Sequence, residues 1–149
     1  MLRTDLWIRD TTVSFYNVHV AAQVDRSLSP FGTQFYRVIK DANARRKDQY
    51  AALAKDVDGN PYAAVVAGDF NTSPAMGDLR AIDSKLQDAT LPSTGLNPLS
   101  WNSEGIELWR LDWAFTTDDL QVHRYRLLDP EGMSDHRAQQ LTLSLTGED

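Results

Sequence analysis

The fold is decided by one stretch, Ala63-Ala64-Val65-Val66-Ala67-Gly68-Asp69-Phe70-Asn71-Thr72-Ser73-Pro74. Residues 63–67 are small or β-branched apolar residues without alternation, which is typical of a central strand buried on both faces. Gly68 then lets the backbone turn, and a carboxylate and an amide follow at Asp69 and Asn71. Ligands in open α/β sheets bind just beyond the carboxyl ends of such strands. The stretch therefore predicts ligands for a hard cation at one edge of a sheet.

The composition is ordinary for a soluble globular protein. A length of 149 residues predicts a single domain, 1–149, that is large enough to bury a core. The net charge of −6 gives no general attraction for nucleic acid or anionic membranes, although acids around a metal would lower this sum without repelling a metal-bound phosphate. The absence of cysteine excludes disulfides and leaves the compartment open. No apolar run approaches the length that spans a membrane, and the first residues have no signal-peptide core, so we expect no membrane insertion.

The remaining patterns predict an α/β (α+β) fold with a mixed sheet and helices on one face. Alternation predicts a hairpin of strands over 5–9 and 12–20, and helical spacing over 33–57 then connects to the central strand as a parallel βαβ unit. Whether the polar residues 41–48 break that helix is left open by the pattern. The later elements are predicted as a helix over 76–86, strands over 107–117, 120–128 and 137–145, and loops over 27–32 and 91–99.

Four strand ends or loops carry polar groups that a core does not need. They are Asn17 with His19, Asp69 with Asn71, Asp112, and Asp135 with His136. Taken together, carboxylates, amides and imidazoles without a cysteine nucleophile or a glycine-rich phosphate loop fit metal-assisted hydrolysis of a phosphate ester.

Each of these groups also has a structural explanation when it is taken alone. His19 is compatible with a half-buried histidine, and Asp69 with Asn71 is compatible with an Asx-turn that caps the next helix. Asp112 is compatible with a buried acid paired with Arg110 or Arg124, and the Asp135 loop with a simple turn into a strand. The single motifs therefore leave both interpretations open.

The order of four motifs resembles the endonuclease/exonuclease/phosphatase superfamily, which includes deoxyribonucleases, abasic-site endonucleases, neutral sphingomyelinases and inositol polyphosphate phosphatases. The motifs are Asn17-Val18-His19, Gly68-Asp69-Phe70-Asn71, Leu111-Asp112-Trp113 and Ser134-Asp135-His136. The helix that carries Arg46 and Gln49 is also similar to the family's, although the run Arg45-Arg46-Lys47 by itself is more typical of a solvated face. The resemblance implies Mg²⁺, or Mn²⁺ in its place, and a phosphate-ester substrate, with nucleic acid as one candidate.

The resemblance also implies a role for each residue. Asp69 would orient or deprotonate the attacking water, His136 would hold a phosphoryl oxygen, Asp112 would fix the tautomer of His136, and His19 would act as a general acid. The implied catalytic set is His19, Asp69, Asn71, Asp112, Asp135 and His136; the implied metal ligands are Asp69, Asn71 and Asp135; and the candidate substrate contacts are Asn17, Arg110 and Trp101. Trp101 is suited to stacking on a base, although a tryptophan beside a strand is more often part of a core.

One part of the family pattern has no counterpart here. Family members begin with a strand that carries a metal-site Asn, and a later strand ends in a Gln-Glu pair whose Glu is the main metal ligand. The chain therefore resembles the C-terminal half of the family domain, which implies half of a four-layer α/β/β/α sandwich. The alternative function is that of a catalytically impaired, truncated fragment that acts as a self-associating structural module.

The missing half leads to an expectation about assembly. Alternation over 107–117 places Trp109, Leu111, Trp113 and Phe115 on one face, and a bare apolar face of that size exceeds what a monomer normally shows. We therefore expect a homodimer, sheet against sheet, in which a partner's Asn17 and Asp69 replace the missing ligands.

Overall fold

A computed structural model of the chain describes residues 1–23, 33–82, 86–91, 98–103 and 106–147. The predicted loop over 27–32 and the middle of the predicted loop over 91–99 lie outside these residues. The elements are β1 Leu2–Ile8, β2 Thr11–His19, α1 Thr33–Gly59, β3 Ala63–Asp69, β4 Gln87–Asp88, β5 Trp101–Ser103, β6 Ile106–Trp109, β7 Asp112–Thr116, β8 Leu120–Leu128 and β9 Ala138–Leu145. Two 3₁₀ helices, Pro74–Met76 and Asp78–Ala81, overlap the N-terminal part of the segment predicted as a helix over 76–86.

The main sheet is mixed, as the sequence predicts. Its strand order is β1-β2-β3-β7-β4, with β2 and β3 parallel and each of the other neighbouring pairs antiparallel. Two further hairpins, β5–β6 and β8–β9, form separate two-stranded sheets. The β2–α1–β3 unit and the β1–β2 hairpin are both confirmed.

Helix α1 runs without a break for 27 residues, so the polar stretch over 41–48 does not divide it. The reason is that Ala42, Arg46 and Tyr50 continue a buried stripe at helical spacing through that stretch. Arg46 is therefore not part of a solvated face. Among the described residues, no helix has the combination of length and apolar composition that crossing a membrane requires.

The face of the sheet that α1 covers is the one that we expected to be bare. Trp113 and Phe115 are each 5% exposed and belong to a core with Leu53 and Val57 of α1. The prediction that a dimer forms through the face with these two side chains is therefore wrong. Alternation in the sequence does not show which face of the sheet the helix covers.

The predicted single strand over 107–117 is divided at Arg110 and Leu111. The hydroxyl of Ser100 accepts hydrogen bonds from the backbone N–H groups of Leu111 and Asp112, at 3.1 and 3.0 Å. These bonds mark the break between β6 and β7, and Trp109 consequently lies in a different sheet, where it is 50% exposed.

The β8–β9 hairpin packs on the second face of the main sheet. Leu120 of β8 shares a buried cluster with Val13, Ala63 and Val65 of the main sheet. Tyr125, further along β8, lies in a second cluster with Ala114 of β7. This hairpin covers the part of the face formed by β3 and β7 and also contacts Val13 of β2.

Candidate active site at the carboxyl ends of the central strands

Strand register brings three of the predicted side chains to one edge of the sheet. His19 at the end of β2 pairs with Asp69 at the end of β3, and Asp69 pairs with Asp112 at the start of β7. Backbone hydrogen bonds continue beyond the paired strands: Val20 N–H donates to Asp69 O at 2.9 Å, and Phe70 N–H donates to Leu111 O at 3.0 Å. Asp69 therefore lies between the other two groups.

Asn71 holds the Asp69 carboxylate in place. Its backbone N–H donates to Asp69 Oδ1 at 2.8 Å, and its Nδ2 donates to Asp69 Oδ2 at 2.7 Å. Nδ2 also donates to Val20 O at 2.9 Å, and a carbonyl oxygen can only accept, so the amide nitrogen must face this way. The Asx-turn that the sequence allows is present, and it orients a carboxylate that is part of the site.

The environment of Asp69 disfavours its charged form. Burial is the main cause that raises the pKa of this carboxyl, and the neighbouring charge of Asp112 adds to it. The hydrogen bond from Asn71 and the nearby His136 and His19 act in the opposite direction without cancelling the rise. A carboxylate in this situation is a stronger base than an exposed one and attracts a cation.

Asp112 and His136 form a directly bonded pair. His136 Nδ1 lies 2.7 Å from Asp112 Oδ2, and Asp112 is 7% exposed. Burial by itself lowers the pKa of His136, but the hydrogen bond to Asp112 and the surrounding carboxylates together raise it above its ordinary value. With Nδ1 committed to Asp112, Nε2 is turned toward Asp69 Oδ2, at 4.0 Å. The predicted pairing of Asp112 with this histidine is present.

A group of possible metal ligands lies at this position. Within the described part of the chain, one atom each from Asp69, Asp112 and His136 lie within 4.8 Å of one another. Asp135 is outside this group, and its Oδ2 instead accepts a hydrogen bond from Trp101 Nε1 at 2.9 Å, which lowers the pKa of that carboxyl. The structure therefore brings Asp69 and His136 together and leaves Asp135 beside them.

The three candidate substrate contacts lie in different surroundings. Arg110 is 8% exposed, and its Nη2 donates to Asp88 and to Thr90 Oγ1 while its guanidinium stacks 3.6 Å from the ring centroid of Trp113. These hydrogen bonds and this stacking account for the position of Arg110 without a ligand. Asn17 is exposed on the same strand face as His19, and Trp101 is half-buried against Asp135.

Ser100 is a residue of the site that the sequence does not reveal. It is 1% exposed, and its hydroxyl binds the N–H of Asp112 while its carbonyl accepts from Arg137 N–H at 2.8 Å. One serine thus aligns the backbone of Asp112 and the residue that follows His136. No periodicity or motif marks such a serine, because its role depends on backbone contacts with distant segments.

The chain matches one family and several solved structures. The sequence profile of the Endonuclease/Exonuclease/phosphatase family matches residues 6–136. No curated protein matches the chain.

The structural neighbours share the fold at low sequence identity. A mannosyl-6-phosphatase from Bacteroides thetaiotaomicron has a TM-score of 0.61 at 19% identity, over 92% of this chain and 53% of that one. A humanized TDP2 from D. rerio has a TM-score of 0.68 at 12% identity, over 95% and 59%. D. rerio TDP2 complexed with a single-strand DNA product has a TM-score of 0.66 at 12% identity, over 95% and 60%. The chain thus spans 53–60% of the length of these three proteins.

Proposed function

The chain belongs to the endonuclease/exonuclease/phosphatase family, and from that membership we propose that it hydrolyses phosphate esters by metal-assisted attack of water on phosphorus. One observation carries the proposal: Asp69 Oδ2 lies 3.9 Å from His19 Nε2 and 4.0 Å from His136 Nε2. These gaps are too long for direct hydrogen bonds, but an oxygen atom about 2.8 Å from both sides fits into each of them. A water molecule is such an atom, because it can donate to the carboxylate and accept from an imidazole N–H.

Asp69 is the proposed base. Burial raises the pKa of its carboxyl, which moves it toward the range in which it accepts a proton from the attacking water. Asn71 keeps both carboxylate oxygens directed, because it donates one hydrogen bond to each. The geometry suits orientation of water as well as removal of its proton.

The two histidines are the proposed contacts to the phosphate. Asp112 holds Nδ1 of His136, so that Nε2 presents an N–H to a phosphoryl oxygen and the imidazolium form is favoured. The side chain of His19 is 79% exposed, which leaves it accessible to the leaving oxygen, to which it would donate a proton.

The residues of the site fit a divalent cation at one position, the carboxylate of Asp69. Asp69 is a carboxylate whose pKa is raised mainly by burial and further by the neighbouring Asp112, and a bound cation would favour its charged form. Mg²⁺ or Mn²⁺ would be held by Asp69, whereas Asp112 and His136, the other members of the group of possible metal ligands, are bonded to each other and keep the roles given above. Asp135 and Asn71, the other ligands implied by the resemblance, form hydrogen bonds with Trp101 and Asp69, which makes them supporting residues in this proposal. When bound, the cation would stabilise negative charge developing on the phosphoryl oxygens.

The class of phosphate ester is part of the proposal. One structural neighbour is named a phosphatase, and another holds a single-strand DNA product, so monoesters and diesters are both candidates. The residues of this site contact the phosphate and do not by themselves select the group attached to it.

We also propose a homodimer, now through the second face of the main sheet. Leu2, Leu6 and Ile8 of β1 are 65%, 45% and 45% exposed, and pairing with β2 places them on the face that carries His19. A partner on this face would border the site directly. The exposed apolar side chains of this face also favour the second candidate function, a self-associating module without activity of its own.

The test is hydrolysis of bis-p-nitrophenyl phosphate and p-nitrophenyl phosphate with Mn²⁺. Asp69→Asn should reduce the rate by about 100-fold or more, and Asp112→Asn by about 10- to 100-fold. Asp41→Asn, an exposed acid on α1, is the matched control and should leave the rate unchanged. EDTA should abolish the reaction. Equal rates for the parent and Asp69→Asn would refute the proposed site, and a folded parent without activity on either ester would favour the module.

A further inference from the structure

Three side chains on one face of α1 reach the segments that follow the two catalytic strands. Arg46, Gln49 and Tyr50 have the i, i+3, i+4 spacing that places side chains together on a helix. Gln49 Oε1 accepts a hydrogen bond from Ala21 N–H at 3.0 Å, and Tyr50 Oη donates to Phe70 O at 2.9 Å. The helix therefore binds the backbone beyond β2 and the backbone beyond β3.

Arg46 connects these two segments through a single guanidinium. Its Nη1 donates to Ala21 O at 2.7 Å, and its Nη2 donates to Asp78 Oδ2 at 2.6 Å. The same Asp78 oxygen accepts a hydrogen bond from Thr72 Oγ1 at 3.0 Å. Ala21 lies two positions after His19, and Thr72 lies three positions after Asp69.

The burial of Arg46 makes this connection rigid. The residue is 2% exposed, so its charge depends on Ala21 O and Asp78 for compensation and loses them only at a large energetic cost. The planar fork of a guanidinium fixes the direction of both contacts at once, which a lysine ammonium does not do. The two segments are consequently held at a set distance from each other.

We propose that Arg46 is a positioning residue, which sets the separation between His19 and Asp69 by clamping the segments that follow them, through Ala21 O on one side and the Asp78 carboxylate on the other. Its effect on catalysis rests on the proposed function, whereas the clamp itself does not. A displacement of about 1 Å between reacting groups can cost about 100-fold in rate, so a clamp of this kind matters although Arg46 touches neither side chain.

The first arm of the test needs no activity. In the parent chain, Asp69→Asn should shift the NMR signals of the His19 ring at a fixed pH, because the two groups lie 3.9 Å apart. In an Arg46→Met background this response should fall to less than about half. Arg45→Met, the same change on an exposed neighbour in the helix, should leave the response intact. An undiminished response in a folded Arg46→Met chain would overturn the clamp.

The second arm measures kinetics on chains shown to be fully folded at the assay temperature. Arg46→Met should lower kcat by about tenfold or more with a smaller change in KM. The kcat of Arg46→Lys, which keeps the charge but not the planar guanidinium, should lie between those of Arg46→Met and the parent.

If Arg46→Met does not fold, Asp78→Asn and Arg46→Lys are used in both arms of the test. A lower Tm with unchanged kcat and His19 response would mean that Arg46 only stabilises the fold. A lost NMR response in chains that are all inactive would support the clamp and refute the proposed function.

Discussion

At the scale of single residues, the site depends on a position where no side chain fits. Gly68 has a φ of 140°, and a Cβ there would lie 2.1 Å from Val18 O on the neighbouring strand. This close approach occurs one residue before Asp69, where β2 and β3 bring the proposed catalytic residues His19 and Asp69 together. Glycine at this position is therefore required by both the backbone angle and the contact with the neighbouring backbone.

We predict that Gly68→Ala will lower the free energy of unfolding by about 3 kcal/mol or more, because strained φ and a backbone clash add together. Gly59→Ala is the control, since nothing lies within 4 Å of the position that a methyl group would take there and its φ is not in the left-handed region. That variant should change the free energy by less than about 1 kcal/mol. Urea denaturation of the three chains measures both values, and similar losses for the two variants would contradict the explanation.

The residues that sequence reasoning finds and misses differ in a physical way. The apolar patterns locate the strands at whose ends Asp69 and Asp112 lie. The pairing of Asp112 with His136 is implied by the family resemblance, and the two side chains are hydrogen-bonded in the structure. Arg46 and Ser100 act through buried hydrogen bonds to backbone far away in the chain. A polar residue gives no periodic pattern that distinguishes burial from exposure, and the roles of these two residues therefore could not be predicted.

At the scale of elements, alternation predicts strands better than it predicts their limits or their sides. Alternation locates β2, β8 and β9, and an unbroken apolar run locates β3. Alternation does not predict the break between β6 and β7 within residues 107–117, because the break depends on the hydroxyl of Ser100 in a different segment. It also cannot decide which face α1 covers, because both faces of the central strands are apolar.

The β1–β2 hairpin is attached to α1 by a polar network on the side opposite to its exposed apolar face. Arg3 Nε lies 2.8 Å from Asp5 Oδ1, Ser14 Oγ donates to the same oxygen at 2.7 Å, and Arg3 Nη1 reaches Asp56 of α1 at 3.1 Å. The hydrogen bond from Arg3, followed by that from Ser14, lowers the pKa of Asp5. The charged form of Asp5 therefore contributes to the stability of the hairpin.

This lowered pKa predicts a pH dependence with a definite sign. A carboxyl with a lowered folded-state pKa contributes stability that is present above its ordinary value of 3.8 and is lost as the pH falls through the folded-state pKa. Asp5→Asn should therefore be less stable than the parent at pH 7, and the difference should shrink steadily below about pH 4. Urea denaturation at several pH values measures this. Asp41→Asn is the control, and a difference for Asp5→Asn that stays constant down to about pH 2.5 would count against the network.

At the scale of the whole molecule, the two faces of the main sheet are covered to different degrees. On one side α1 buries Trp113 and Phe115, whereas on the other side the β8–β9 hairpin leaves β1 uncovered. A cavity of about 320 Å³ lies there between the sheet and the hairpin, lined in part by Ile8, Phe15 and Leu143. An apolar surface of this kind next to a site is a natural position for a second layer of structure.

Adjacent residues of β1 give a matched test of whether that layer is a second copy. Leu6 pairs with Val13 on the second face, and Trp7 pairs with Thr12 on the opposite face, where it is 80% exposed. If the second face is the dimer interface, the parent should be a dimer by light scattering at micromolar concentration. Leu6→Lys should then raise the dissociation constant by about tenfold or more, because it places a charge in an apolar contact, while Trp7→Lys should not. A monodisperse monomeric parent, or equal weakening of the dimer by both substitutions, would refute a dimer through this face. The apolar surface would then be a site for a different polypeptide segment.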